Sequence, residues 1–577
     1  MVGGLSSEKT EQILPPSSAE TGQTPGPEDR PPSGGDPASN HAKAKGHGRI
    51  PSSAYPDAQR IRVPHESLRI GMLCPECERG HLYGLDDIEL LRIVGQAPLV
   101  AKCWCCDHFR CSACNGVFSA QAPPEAQGPK FTETAVAIMA LLRYGNGQPL
   151  NRLDHLQDYL KTPVPASTQW EVVCASATLF EPVYNELLRL AAQSPLLHND
   201  DTYVRILELM GKRRAAKLAN GELDDPERTG LFTTGVVAKT EDEKSIVLFF
   251  SGRKHAGENL ADLLKRRAAE LPPPIQMSDA LDRNLPKGHA TLESNCLCHG
   301  RRNLVDQIAN FPEECRFLLE ALGEVFGVDE RCQADKLSPE ERLRVHQAES
   351  GPVMERIKAK SNALLAEKKV EPNSDMGKAL LYLLKHWAPL TLFLRVPGAP
   401  LENNICERAL KMAIRHRTNS LFYKSERGAK VGDLYMTLIE TTVLDGENPF
   451  EYLTVLQRFE KEVALRPGDW LPWTFRATLA RIEETARHPE ANSEPTVVAS
   501  PAALQPATAA EPKRPSSSTA RFVAGAVRGS AVPVGAPTPT EAWETALRAF
   551  AESGEAEGDA ARGARAQGRV TGRARHP

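Results

Sequence analysis

The chain has 577 residues, 41% of them apolar, and a formal net charge of −4 with histidines neutral. That length leaves room for several domains and at least one large core, and the near-neutral balance means that any nucleic-acid contact must come from local basic clusters. No run of roughly 18 uninterrupted apolar residues argues for a membrane span, and the Pro-, Gly- and Ser-rich start lacks the apolar stretch of a secretion signal, so the chain reads as cytoplasmic.

Residues 1–65 carry few large apolar side chains and are expected to be disordered. Residues 66–125 form a cysteine-rich module in which Cys74-Pro-Glu-Cys77 and Cys111-Ser-Ala-Cys114 make two Cys-x-x-Cys knuckles. Four thiolates from two knuckles suit tetrahedral zinc, and a segment this poor in large apolar residues needs such a staple. The module therefore reads as a structural zinc site. Cys103, Cys105 and Cys106 could replace a knuckle ligand or build a second site.

Residues 126–194 turn helical, with helices expected over 134–144, 150–160 and 168–192. The break at 161–165 gives a pair of helix-turn-helix length, a candidate DNA-binding segment. From 195 the pattern becomes strand-like: one strand is expected over 196–207, a hairpin over 231–238 and 245–251, a helix over 257–270, and a further strand over 274–278. Residues 303–395 read as helices with charged faces, and a last helical region runs from 403 to 462. The tail, 485–577, is dominated by Ala, Pro, Gly, Ser and Thr and is expected to be disordered. It holds a short amphipathic segment at 541–552 and an arginine run (Arg562, Arg565, Arg569, Arg573, Arg575), either a phosphate-binding tail or a solvated terminus.

Acids mark the strand ends. Asp200 and Asp201 interrupt an apolar strand, and Asp279 closes a second one, with Asp282 as a competing candidate. Carboxylates at neighbouring strand ends are what two-metal phosphoryl chemistry needs, and magnesium takes such oxygen ligands. The third acid, Glu407, sits on an expected helix with Asn403, Asn404 and Lys411 on the same side. Arg408, Lys411, Arg415 and Arg417 form a basic flank suited to DNA phosphates. Between the second and third acids, Cys296-Leu-Cys298-His299-Gly-Arg301-Arg302 lacks a fourth metal ligand at ordinary spacing. It reads as a core histidine with an arginine, Arg302, that helps to place phosphate.

These segments resemble the insertion sequence 66 family of bacterial transposases. His198-Asn-Asp200-Asp201-Thr202 looks like the family's "His-Ala-Asp-Glu-Thr" strand, Gln276-Met-Ser-Asp279-Ala like its second-aspartate strand, and Cys296-Leu-Cys-His299-Gly-Arg301-Arg302 like its "Cys-Trp-Ala-His-x-Arg-Arg" segment. Leu401-Glu-Asn-Asn-Ile-Cys-Glu407-Arg-Ala-Leu-Lys is similar to its "Asp-Asn-Asn-x-x-Glu-Arg-Ala-Leu-Arg" block. Asp201 stands where glutamate is usual, Leu297 where tryptophan is, and Leu281 where an aromatic residue is, so the chain looks divergent.

The resemblance implies an α/β protein with a ribonuclease-H-like catalytic core (195–302 and 396–484), split by an all-α insertion (303–395). A zinc-ribbon-like module and a helical DNA-binding segment come before it. It implies a transposase cutting and joining DNA with Mg2+ (or Mn2+) on Asp200, Asp279 and Glu407, supported by Asp201, His299, Arg302, Asn403, Asn404 and Lys411. Double-stranded DNA, a second copy of the chain and helper proteins of the same element are the partners implied, at the nucleoid. The alternatives are a catalytically silent, transposase-derived DNA-binding protein, and a nuclease without strand transfer.

Overall fold

In chain order the strands are β1 (His108–Arg110), β2 (Val117–Ser119), β3 (Leu196–Tyr203), β4 (Phe232–Lys239), β5 (Ser245–Gly252), β6 (Ile275–Ser278) and β7 (Leu292–Asn295). This is a computed structural model that describes residues 60–487, apart from 86–89, 91, 94–95, 116 and 224. The expected extensions at both ends, with the 541–552 segment and the arginine run, lie outside the described residues.

The hairpin expected around 239–244 forms as β4 and β5, which are apolar and buried along most of their length. Its turn is closed at Glu243, which takes φ +58. β3 pairs antiparallel with β4 on one side and parallel with β6 on the other, and β6 pairs parallel with β7. The five-stranded sheet therefore runs β5-β4-β3-β6-β7. A parallel neighbour requires a crossover, and between β5 and β6 it contains helix Ala256–Leu264. The sequence reading missed β7, whose Leu-Glu-Ser-Asn stretch has no apolar alternation. It also extended β3 too far: the chain turns after Tyr203 and forms helix Gly211–Ala219, which buries none of its residues. Its Lys, Arg and Ala content favours helix over strand.

The break at 161–165 separates helix Leu150–Tyr159 from helix Ala166–Gln193, with Lys161 at φ +59. The long helix places Val173, Phe180, Val183 and Leu187 in the core that backs the sheet. Helices Pro312–Ala334, Gly351–Ala366 and Asp375–Lys385 fill the expected insertion and build a second core from Leu318, Leu322, Ile357, Leu380 and Leu383. Ile275 of β6 and Leu401 belong to that core too, which ties the insertion to the sheet.

The edge strand β5 is capped in an unusual way. Helix Glu426–Leu444 lies along it and aims Asp433, Thr437 and Thr441, spaced four residues apart, at the strand. Backbone N–H groups of Val247 and Phe249 donate to the hydroxyls of Thr441 and Thr437, each at 3.1 Å, and that of Ser251 donates to Asp433 at 2.6 Å. One helix row thus satisfies donors that an edge would leave open to pairing with another chain. Thr437→Val removes the acceptor for a fully buried amide and is expected to lower stability by about 1–3 kcal/mol, measured by chemical denaturation. A loss under about 0.3 kcal/mol would mean that this amide finds another acceptor.

Candidate active site

Strand alternation separates the two adjacent aspartates. Successive side chains leave a strand on opposite faces, so Asp200 and Asp201 cannot serve one site directly. Asp201 faces the crossover helix. Its carboxylate accepts from the backbone N–H of Ala256 at 3.4 Å, lies 3.2 Å from His255 Nδ1, and meets Arg283 at 3.2 Å. These partners tie it to the scaffold. Asp200 lies on the face covered by helix Asn404–Ser420, the glutamate helix, with Gly235 of β4 directly opposite.

That helix approaches the sheet closely because of Gly235. A Cβ there would sit 3.0 Å from the Leu410 side chain and 3.6 Å from Cys406 Sγ. Cys406, Ala409, Leu410 and Ala413 form the buried stripe, which turns Glu407 toward the strand ends. Before the helix, Asn403 is fully buried and acts as a joint. Its side-chain N–H donates to the Asn199 carbonyl at 3.2 Å, so its oxygen is left to accept from His198 Nδ1 at 3.0 Å. Burial pushes the His198 imidazole down to about 4, so it is neutral and can donate from Nδ1. The backbone N–H of Asn403 points to Cys296 Sγ at 3.2 Å. Asn403 is thus a positioning residue, while Asn404 reaches only as far as Cys298 Sγ, 4.0 Å away.

Asp279 follows β6 directly and is half-buried. Asn284 holds its carboxylate through a side-chain hydrogen bond, and the backbone N–H of Leu281 donates to the same oxygen at 3.3 Å. Asp282 is exposed at the start of a short 3-10 turn. On helix Leu297–Val305, His299 turns toward Glu407, with Nε2 3.9 Å from Oε1. Arg301 is buried, whereas Arg302 is exposed.

The electrostatics are those of acids crowded together, with Asp201 paired to Arg283 and His299 beside Glu407. Burial first, opposed by a hydrogen bond from the Asp201 N–H and reinforced by the charges of Asp279, Asp201 and Glu407, pushes Asp200 up to about 7. Glu407 Oε1 and His299 Nδ1 are buried without hydrogen-bond partners. Hard, anionic oxygens that repel one another and leave a lone pair unmet fit a magnesium site. Among the described residues the one trio of ligand atoms within 4.8 Å of one another is Cys296, His299 and Glu407.

The basic flank divides. Arg408 and Lys411 are exposed on the glutamate helix. Arg415 donates to the Gly145 carbonyl at 2.8 Å. Arg417 donates to Thr202 at 2.7 Å and to the Tyr203 carbonyl at 2.8 Å, and stacks over the Tyr203 ring.

Far along the chain from these acids, the two knuckles share one geometry. Glu78 and Asn115 take φ values of +50 and +58, each residue directly following the second cysteine of its knuckle. In each knuckle the two thiols are in hydrogen-bonding contact. Backbone N–H groups of Arg79 and Gly80 lower the Cys77 pKa, and those of Cys114 and Ala113 lower that of Cys111. Such N–H groups stabilise thiolates and so suit zinc pairwise. The first knuckle lies inside the bridge between Leu73 and His81, and the second inside the β1–β2 hairpin. The two pairs do not come together as one trio within 4.8 Å. Cys103, Cys105 and Cys106 are exposed.

Sequence reasoning missed Asn284, His198 and Gly235. The roles of His198 and Gly235 depend on which elements are neighbours, and no local spacing carries that, whereas Asn284 reaches back five residues to Asp279 from a short turn that apolar patterning does not mark. The sequence profile described as Transposase IS66 family matches residues 129–431. Similar proteins include uncharacterized protein y4jD of Sinorhizobium fredii (strain NBRC 101917 / NGR234), 25% identical over 413 residues, covering 69% of this chain and 76% of that one. Uncharacterized protein y4hP of the same organism is 24% identical over 453 residues, covering 69% of this chain and 77% of its own.

Proposed function

The chain belongs to the IS66 family of transposases, and we propose that it cuts DNA at element ends and joins them to target DNA, with Asp200, Asp279 and Glu407 as its metal-binding acids. The observation that carries this reading is geometric: Asp200 of β3 lies on the face covered by the helix that bears Glu407, and Asp279 closes the neighbouring strand β6. The sheet order β5-β4-β3-β6-β7, with three antiparallel strands followed by two parallel ones, supports a ribonuclease-H-like core. When bound, Mg2+ or Mn2+ supplies activation of the attacking oxygen and charge neutralisation at the leaving one.

The protein's own share is positional. Asn284 orients Asp279, and Asn403 with His198 fixes the start of the glutamate helix. His299 stands beside Glu407, Arg302 is free to reach phosphate, and Arg408 and Lys411 offer exposed charge for the DNA backbone. Asp201 supports the site through the scaffold, by way of the crossover helix and Arg283. The knuckles are proposed to form a structural zinc ribbon in a module at 66–125, followed by a helical DNA-binding segment at 126–194. Because the synapsis of two ends calls for more than one copy, self-association is part of the proposal.

The test is magnesium-dependent cleavage of duplexes carrying the element ends. Asp279→Asn is expected to lose cleavage and keep DNA binding. Preserved cleavage in that variant would remove Asp279 from the site. A wild-type protein that binds these ends but cuts with neither magnesium nor manganese would favour a silent DNA-binding role.

A further inference from the structure

We propose that Cys296, His299 and Glu407 form a zinc site that takes Glu407 away from magnesium, so that zinc is a competitive inhibitor of strand cleavage. The proposal rests on the catalytic reading of Glu407 but can be tested apart from it. Its starting point is chemical: a fully buried thiol has no use in a magnesium site, because Mg2+ takes hard oxygen ligands. Zinc is borderline-soft and accepts thiolate, imidazole and carboxylate together.

The three ligand atoms lie within 4.8 Å of one another, and His299 Nε2 is 3.9 Å from Glu407 Oε1. Ligand atoms on one tetrahedral zinc stand about 3.3–3.7 Å apart, given bonds of about 2.0–2.3 Å, so side-chain adjustments of under about 1 Å would close the site. Each donor is already prepared. Cys296 Sγ accepts the Asn403 backbone N–H at 3.2 Å, a bond that favours thiolate. Glu407 Oε1 is buried with no hydrogen-bond partner. A second sulfur, Cys298, touches Cys296 and sits 3.2 Å from Glu402 Oε2. The sequence spacing Cys-x-x-His had no visible fourth ligand because Glu407 arrives from beyond the whole α-helical insertion.

Zinc here would act on a carboxylate shared by two chemistries. With Oε1 committed to an ion held by sulfur and imidazole, Glu407 is drawn away from the acids at the strand ends, and zinc's charge is set beside them. The full-length protein, stripped of metal and dialysed against zinc chloride, is compared as wild type, Cys296→Ser and the double variant Cys74→Ser, Cys77→Ser. Bound zinc is counted by elemental analysis, and the zinc-dependent loss of magnesium-driven cleavage is read relative to each protein's own zinc-free rate. Wild type is expected to hold one more zinc than Cys296→Ser, and the knuckle double variant is expected to keep that zinc. Zinc inhibition is expected to need at least about tenfold more metal in Cys296→Ser, the scale of losing one supporting ligand. Should Cys296→Ser fail to fold, His299→Gln carries the same comparison. Equal zinc content in wild type and variant overturns the site. Loss of that zinc with unchanged inhibition overturns the competition. If the wild type cuts no DNA at all, the zinc count still decides for or against the site, and only the catalytic reading of Glu407 falls.

Discussion

Glu407→Gln is expected to abolish magnesium-dependent strand cleavage, a loss on the order of 1,000-fold or more and worth about 4 kcal/mol in the barrier, while duplex binding measured without divalent metal stays within about twofold. The substitution keeps shape and volume and removes one negative charge. Glu407 makes no hydrogen bond through its buried Oε1, and His299 Nε2 stands 3.9 Å from it. The metal-free variant should therefore be as stable as the wild type or more so, because one of the charges that hold Asp200 in its protonated form has gone. Magnesium should raise the melting temperature of the wild type and raise it less in Glu407→Gln, since binding to the folded state stabilises by mass action. Cleavage that survives the substitution would exclude Glu407 as a ligand. Cleavage and magnesium stabilisation lost together, with the fold intact, would tie the third acid to the metal.

Much of this arrangement was legible in the sequence, and the missing parts share one cause. The β4–β5 hairpin, the crossover helix and strand β6 follow from apolar patterning and turn residues; the strands fall within a residue or two of expectation, while the helix ends at Leu264, six residues before the expected 270. Asp279 was visible as an acid that closes an apolar run. Composition does not separate Asp200 from Asp201, but strand geometry does: one lies on the face of the glutamate helix and the other is bound by Ala256, His255 and Arg283.

What stayed hidden depends on long-range neighbours. Gly235 looks like any strand glycine until the glutamate helix lies 3.0 Å from where its Cβ would be. Cys296, Cys298 and His299 looked one ligand short because Glu407 enters from a distant helix. Arg415 and Arg417 read as free cations on a helix face, yet both are partly spent on backbone carbonyls, which leaves Arg408 and Lys411 as the exposed pair nearest Glu407.

The second large effect concerns stability and pH. Asp433 is buried against β5, where its carboxyl meets the Ser251 N–H at 2.6 Å and the Ser251 hydroxyl at 2.7 Å. Burial pushes it up to about 7, with the two Ser251 hydrogen bonds and Lys430 opposing. In the unfolded chain an aspartate titrates near about 3.9. Between these two values the folded state holds a proton that the unfolded state has lost, so stability falls as pH rises. The contribution of this group is fully present below about pH 4 and lost above about pH 7, with a ceiling of about 4 kcal/mol. Asp433→Asn copies the protonated carboxyl: its oxygen can accept from the Ser251 N–H while its amide donates to the Ser251 hydroxyl. The variant should match the wild type at pH 5 and exceed it by a few kcal/mol at pH 8, seen in urea denaturation at both pH values. Asp200 titrates in the same window, so the comparison is best made on the difference between variant and wild type, in which that shared contribution cancels. A variant whose stability runs parallel to the wild type across this range would mean that Asp433 ionises in the fold at its ordinary pH. The hydrogen bonds from Ser251, rather than burial, would then govern the edge of the sheet.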